Sequence, residues 1–591
     1  MNQLSNNLKS IINSVLRYSG RSIFIVSLVL LSFYRIFLST KAPYFGNLYA
    51  TYDEQLFIRL SNELLKGHWL GEYSTSTLSK GISYSLFLVL GNKLHISYGV
   101  MLSFFNIFAS TTAVISLRPL VKNKWVLLSI YTFFLYSPVT FTSEYSTKIY
   151  RNAIVVPCVL LLISFLIGLY FRRKDGLKTF IPWSLGLSVT FPFYWYIRED
   201  SIWLLPLLSV GLFIIAGAVL LDKIQNFRLE SLISQNIFSR QKVTKLFLCI
   251  LPFLMLIIST KILERINETY YGVSEVNDRT QGTFGKVSKQ LIRLDDGSDL
   301  NKKNSTIWIS KSMLKKAESV SQTLNSISKN IDWIYNGSPW SNGRDEIAGD
   351  IIFWALRDAA SQSGYYKNAN ETEKFWQKVH SELAEAYKNG DIKKKKEIYL
   401  TSTGDGKLVK DLSLVGDFMK TGFDYNVFYT NYAQGYDVMV APKTEVVSAE
   451  KLLNLSFKNV WSETNNNTSK TKELSEIAKT SNIVIKFYQS LVPFILIISI
   501  SGFIVVLFES MFSKEQSAIF RSILLLIVGL FMTYIVFLIG VSWFCSWGPS
   551  AKNTFMMTYT GAGVPVIQWI EILAFVGIFQ LPIITKKITK K

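Results

Sequence analysis

The residues best placed to do chemistry are Asp53 and Glu54, adjacent carboxylates in Ala50-Thr51-Tyr52-Asp53-Glu54-Gln55, just beyond the first apolar run. A carboxylate within hydrogen-bond reach of a hydroxyl can take its proton as that oxygen attacks a sugar carbon. Acids just past a membrane span would put such a base at the depth of lipid head groups. Arg and Lys belong to the same chemistry, because they stabilise a departing phosphate. Such cations stand in three further places: Lys80 in Leu78-Ser79-Lys80-Gly81, Arg151 in Glu144-Tyr145-Ser146-Thr147-Lys148-Ile149-Tyr150-Arg151-Asn152, and Arg198 in Tyr194-Trp195-Tyr196-Ile197-Arg198-Glu199-Asp200. The expected roles are Asp53 as base with Glu54 as its substitute, and Lys80, Arg151 and Arg198 on the phosphate side. Glu144, Glu199 and Asp200 would hold the acceptor. A phosphate leaving group is already acidic and needs no protein acid.

Each group also has a plainer reading. Asp53 and Glu54 could cap an interfacial helix running to Leu65. Lys80 could anchor the chain at the interface, and Arg151 and Arg198 could reach out to lipid phosphates. Glu144, Glu199 and Asp200 could be structural partners of those arginines. What favours chemistry is their co-occurrence on one face, because an ionisable residue at a span end is costly unless it faces a partner or a water-filled cavity.

The elements that must position these groups are membrane helices. The chain has 591 residues, 49% of them hydrophobic, and a formal charge of +21. Its apolar runs match the ~17–25 residues needed to cross a bilayer. Ten spans are expected: 22–38, 96–117, 125–141, 153–171, 180–197, 202–221, 246–262, 484–508, 522–543 and 563–583. The first follows Lys9, Arg17 and Arg21 and ends in bulky residues without a small-residue cleavage pattern, so it reads as a retained anchor. The run Ile82–Leu90 is expected to be juxtamembrane or re-entrant.

Basic residues alternate sharply between the connections. They gather ahead of the first span, at Arg118–Lys124, Arg172–Lys178, Lys223–Lys245, Lys514–Arg521 and in the tail Lys586–Lys591. By the positive-inside rule these are cytoplasmic, as are both termini, and the Asp53 loop lies outside. The expected organisation is a membrane bundle over 1–262, an extracytoplasmic domain over 263–483 and C-terminal membrane helices over 484–591. The fold class is thus an all-α polytopic membrane protein with a large, mainly helical outer domain inserted before the last three helices.

That outer segment carries 30 basic and 29 acidic residues, so the positive charge belongs to the membrane part. Helix orientation and anionic lipids account for it without nucleic acid. Helices are expected within Asp345–Gly364 and Glu371–Asn389, a solvated turn at Lys393–Lys396 and a linker at Ser462–Lys472. Trp354 and Arg357 share a helical face and could form a sugar-stacking edge. The alternative is a core Trp with a surface Arg357–Asp358 pair. Cys158, Cys249 and Cys545 imply no disulfide framework, and His68, His95 and His380 have no acid or Cys at ligand spacing. No cofactor and no metal are expected. The cysteine-free outer segment and the Lys-, Asn- and Ile-rich composition point to a bacterial cell envelope.

The order of one span, Asp53-Glu54, an interfacial stretch containing Gly67-His68-Trp69-Leu70-Gly71-Glu72-Tyr73, then Ser79-Lys80-Gly81 and a multi-span bundle resembles the GT-C superfamily of membrane glycosyltransferases. That superfamily includes protein mannosyltransferases and the aminoarabinose transferases of lipid A. The resemblance covers about residues 20–210. It implies a polyprenyl-phosphate-linked sugar donor, an acidic catalytic residue at Asp53 and a phosphate-binding lysine at Lys80. It also implies a cell-envelope acceptor (a glycan, a glycolipid or a protein). The chain departs from the aminoarabinose transferases in carrying Lys80-Gly81 where they have Lys-Pro-Pro. Rival classes are a polymerase or ligase of lipid-linked glycans and a non-enzymatic transporter of lipid-linked precursors. The first favours an outer loop rich in Arg and His; the second favours mid-span charges and internal repeats.

Overall fold

The computed structural model describes residues 2–221, 239–297, 307–401, 404–435, 437–461, 475–513 and 517–581, with side chains from residue 22 onward. The linker expected at Ser462–Lys472 and the cytoplasmic cations expected at Lys223, Arg228, Lys514 and Lys586–Lys591 lie outside the described residues.

Among the described residues, eight helical segments are long and apolar enough to cross a membrane: Ser22–Lys41, Tyr98–Ser116, Asn152–Phe171, Ser201–Leu221, Arg240–Tyr271, Glu476–Phe512, Ser517–Cys545 and Pro549–Phe579. Two of the ten expected spans fall short of that. The run expected at 125–141 folds as Lys124–Leu135, a helix of 12 residues. It stops there because Ser137 precedes Pro138, which disfavours helical backbone and supplies no N–H. The run expected at 180–197 forms Leu177–Trp195, which is long enough but diluted by Lys178, Thr179, Ser184, Ser188 and Thr190. It still packs in the bundle, between Asn152–Phe171 and Arg240–Tyr271. The chain is a multi-pass helical membrane protein.

Asn152–Phe171 is the axis of the bundle. It is apolar on every side, and a helix of that kind is stable only when surrounded. Nearly all its residues are buried, including Pro157 and Cys158. Tyr98–Ser116 and Leu177–Trp195 flank it, with Val564–Phe579 packed alongside. Its first turn lies at the end of the bundle where the Asp53 loop and the 194–200 loop meet.

Two short helices lie beside that end. Glu54–Lys66 buries Leu56, Phe57, Ile58 and Leu60 and stops at Gly67, whose φ of 81° provides the left-handed cap. The run around Ile82–Leu90 folds as Ser83–Lys93, 11 residues. At ~1.5 Å per residue it spans about half of a ~30 Å hydrocarbon layer.

The segment over 263–483 divides between two hydrophobic cores. Helices Gly282–Ile292, Lys311–Val320, Ser328–Asn336, Ile351–Gln362 and Ala369–Asn389 enclose a core of their own around Trp308, Trp376 and Leu356. Helices Leu412–Val427 and Lys443–Leu453 instead share the bundle's core. Leu412–Val427 lies against Ser517–Cys545, and Lys443–Leu453 against Ser83–Lys93. The stretch expected as a solvated turn at Lys393–Lys396 contributes a two-residue strand, paired antiparallel with Leu294–Asp295. Met439–Val440 and Val460–Trp461 make a second, parallel pair.

Candidate active site

Asp53 occupies the N-cap position of Glu54–Lys66 but makes no capping hydrogen bond. Its carboxylate turns to other partners. Oδ1 accepts from Lys80 Nζ at 3.2 Å and from the Tyr150 hydroxyl at 3.0 Å. The Lys80 side chain is 8% exposed, whereas that of Asp53 is 49% exposed. Burial alone would raise the Asp53 carboxyl, but Lys80 and Arg151 outweigh it and hold the group below the ordinary carboxylate range. At Lys80 the balance tips the other way: burial lowers the ammonium despite the attraction of Asp53.

Glu54 faces away from this pair, into the protein. Lys148 Nζ lies 3.6 Å from Glu54 and 3.3 Å from Glu144. Burial raises the Glu54 carboxyl, Lys148 opposes, and the neighbouring Asp53 charge adds to the rise.

The opposite wall is the start of the axial helix with the 194–200 loop. Arg151 Nη1 donates to both Glu199 oxygens, at 3.0 and 2.9 Å, and to the Ile197 carbonyl at 3.2 Å. Burial pushes the Glu199 carboxyl up, yet Arg151 and then Lys80 bring it down to about 2. Arg198 grips Asp200 with Nε at 2.8 Å and Nη2 at 2.6 Å. Its Nη1 donates to Asn152, which in turn donates to Glu144. The guanidinium of Arg198 also lies 4.9 Å over the Tyr559 ring. The structural-partner reading of these acids matches this geometry, as Arg151 and Arg198 are buried in ion pairs.

All eight sequence-selected residues therefore meet at one end of the bundle. Asp53, Lys80, Arg151 and Glu199 act on one another directly, while Glu54, Glu144, Arg198 and Asp200 join through Lys148 and Asn152.

Backbone geometry explains how Lys80 reaches Asp53. A Cβ on Gly81 would fall 2.1 Å from the Tyr196 carbonyl oxygen, so only glycine lets this turn approach the 194–200 loop. Ser83 N donates to that same oxygen. Leu78 holds a positive φ of 59°, unusual for a branched side chain. Its carbonyl accepts from Asp278 N, and the Ser79 carbonyl accepts from Asn277. Residues Asn277 and Asp278, from the 263–483 segment, thus clamp the Lys80 turn.

Several residues of the site carry no signal as isolated types. Tyr150 and Lys148 lie within the quoted Glu144–Asn152 stretch, but nothing in the sequence distinguishes them from interfacial residues. Tyr52 packs on Trp354 and Trp340, with centroids 4.4 and 5.5 Å apart, and Lys80 lies 5.4 Å from the Trp354 ring. Trp354 is buried under this junction rather than presented as a free sugar platform. The expected Arg357–Asp358 surface pair is replaced. Arg357 is fully buried against Asp278, and Asp358 accepts from Trp340 Nε1. Burial raises the Asp278 carboxyl to about 6 against the pull of Arg357.

His68 does have an acid beside it, since Nδ1 lies 3.1 Å from Glu63 at an exposed helix end. Among the described residues no group of three or more His, Cys, Asp or Glu could hold a metal ion.

Neither a protein-family model nor a curated protein matches the chain. Among solved structures, the chain is similar to ArnT from Cupriavidus metallidurans bound to undecaprenyl phosphate. The identity is 8% and the TM-score 0.26, over 94% of this chain and 77% of that one. A likeness this distant decides nothing about fold or chemistry.

Proposed function

We propose that the chain is a membrane glycosyltransferase of GT-C type, working on the outer face of a bacterial cell membrane. It would move a sugar from a polyprenyl-phosphate donor to a cell-envelope acceptor. The observation that carries this reading is the Asp53–Lys80 contact: a half-exposed carboxylate beside a buried ammonium, at the membrane-bundle end. A base and a phosphate seat are then adjacent.

In the reaction, the acceptor hydroxyl gives its proton to Asp53 while its oxygen bonds to the anomeric carbon. The bond from that carbon to the phosphate oxygen breaks, and the electron pair leaves on the phosphate. A single displacement of this kind inverts the anomeric centre. Lys80 supports the departing charge. As it turns toward phosphate it gives up part of its hold on Asp53, whose carboxylate becomes more basic as the proton arrives. Arg151 and Arg198, each engaged by its own acid, would set the shape of the site and add a positive field. Glu144, Glu199 and Asp200 would bear on the acceptor through that scaffold.

The test is transfer of radiolabelled sugar from a panel of purified polyprenyl-phosphate donors, with product masses read out. Labelled product that disappears in Asp53→Asn supports the reading. Release of lipid pyrophosphate with whole-glycan transfer would favour a ligase, and movement of labelled lipid across the bilayer without transfer would favour a transporter.

A further inference from the structure

Every cation of the site described above has a carboxylate within 3.6 Å. Arg35 does not. It sits in the first membrane span, 6% exposed. Nη2 donates to the Thr140 carbonyl at 2.8 Å, and the guanidinium lies 4.1 Å over the Phe141 ring. Nε is buried with no partner, and among the described residues no acid pairs with this guanidinium.

An ionised group at membrane depth without a counter-charge is expensive, and buried donors are normally satisfied. The space around Arg35 is suited to supply what is missing. It lines a narrow, open-mouthed crevice between the first span, Tyr98–Ser116 and the start of Glu476–Phe512. Ser103, Ser481 and the Gln434 side-chain amide line the same crevice and make no side-chain hydrogen bond among the described residues. Thr147, one residue before the Lys148 of the candidate active site, closes one side. A Cβ on Gly99 would meet the Tyr44 hydroxyl at 1.8 Å, so that ring is seated tightly and walls the crevice.

We infer that this crevice is an anion site for a phosphate group, free or on a lipid head, separated from the Asp53–Lys80 pair by the Phe45 and Thr147–Ile149 strip. Arg35 would supply the charge, and Ser103, Ser481 and Gln434 neutral hydrogen bonds. The inference concerns binding and does not depend on sugar transfer.

The purified full-length chain in detergent is titrated with dihexanoyl phosphatidylglycerol, with or without inorganic phosphate, and binding is read by native mass spectrometry and thermal shift. The expected result is a saturable phosphatidylglycerol complex that weakens ~10-fold or more in Arg35→Gln, a charge-assisted contact being among the strong ones. Arg35→Lys should recover part of the affinity. Inorganic phosphate that displaces the lipid assigns the crevice to free phosphate; inorganic phosphate without effect assigns it to a lipid head group. Ser481→Leu fills the crevice without touching Arg35 and should weaken binding equally, which keeps the test decisive if Arg35→Gln fails to fold. Affinity equal to wild type in Arg35→Gln or Ser481→Leu would overturn the site.

Discussion

The two walls of the ionic network differ in how fully their charges are engaged. On the 144–200 wall, Arg198 holds Asp200 with two parallel bonds and Arg151 meets both oxygens of Glu199. On the Asp53 wall, Lys80 makes one hydrogen bond, at 3.2 Å, to a carboxylate that also accepts from Tyr150 and whose side chain remains 49% exposed. Saturated pairs fix geometry because each group already has its best partner. A single contact to an open carboxylate can be exchanged for substrate. That difference is the reason we propose chemistry at Asp53 and Lys80 and scaffolding at the arginines.

Replacing the base should have the largest effect. Asp53→Asn keeps the size of the side chain and should cut transfer by ~10²–10⁴-fold, the usual worth of general-base catalysis. Helix content by circular dichroism should stay at the wild-type level. Next comes the scaffold. Arg151→Ala leaves the partly buried Glu199 without its partner and should cost about 1–3 kcal/mol of stability. Thermal unfolding in detergent would read that loss, while transfer per folded molecule changes far less than in Asp53→Asn.

A smaller effect should follow pH. The folded Glu199 carboxyl, at about 2, lies below its ordinary value of ~4.3, so its pair stabilises the fold above that value. The contribution fades as pH falls from ~4.3 through about 2. Melting temperatures of wild type and Glu199→Gln should therefore converge on acidification and separate near neutral pH. A gap that does not change with pH would remove the ion pair from the scaffold. The smallest effect is expected at Glu54, which faces inward toward Lys148. Glu54→Gln should lower transfer by less than about tenfold, the scale of one ordinary hydrogen bond. A loss as deep as that of Asp53→Asn would exchange their roles.

The membrane bundle was legible in the sequence because length and hydropathy alone define a span. The exceptions have local causes, namely Pro138 behind Lys124–Leu135 and the polar residues of Leu177–Trp195. The meeting of distant charges was legible as well, since ionisable residues at span ends collect where water reaches. Their pairing was not. Nothing in Tyr150 as a residue type announces a bond to Asp53, and Gly81 shows its purpose only against the Tyr196 carbonyl. The division of the 263–483 segment was also hidden. Leu412–Val427 was not singled out in the sequence, and only tertiary packing gives its apolar face to the bundle rather than to the core around Trp308 and Trp376. Arg357 was adjacent to Asp358 in sequence, yet it is buried and its partner is Asp278, 79 residues away.

The division of labour between the walls is tested most directly by comparing Lys80→Ala with Arg198→Ala in one transfer assay, each on protein shown to be folded. Lys80→Ala should lower kcat/KM for the lipid-linked donor by ~10²-fold or more, as expected for a lost electrostatic stabiliser, while Arg198→Ala should lower it by less than about tenfold. The opposite order, with Arg198 decisive and Lys80 dispensable, would contradict the account.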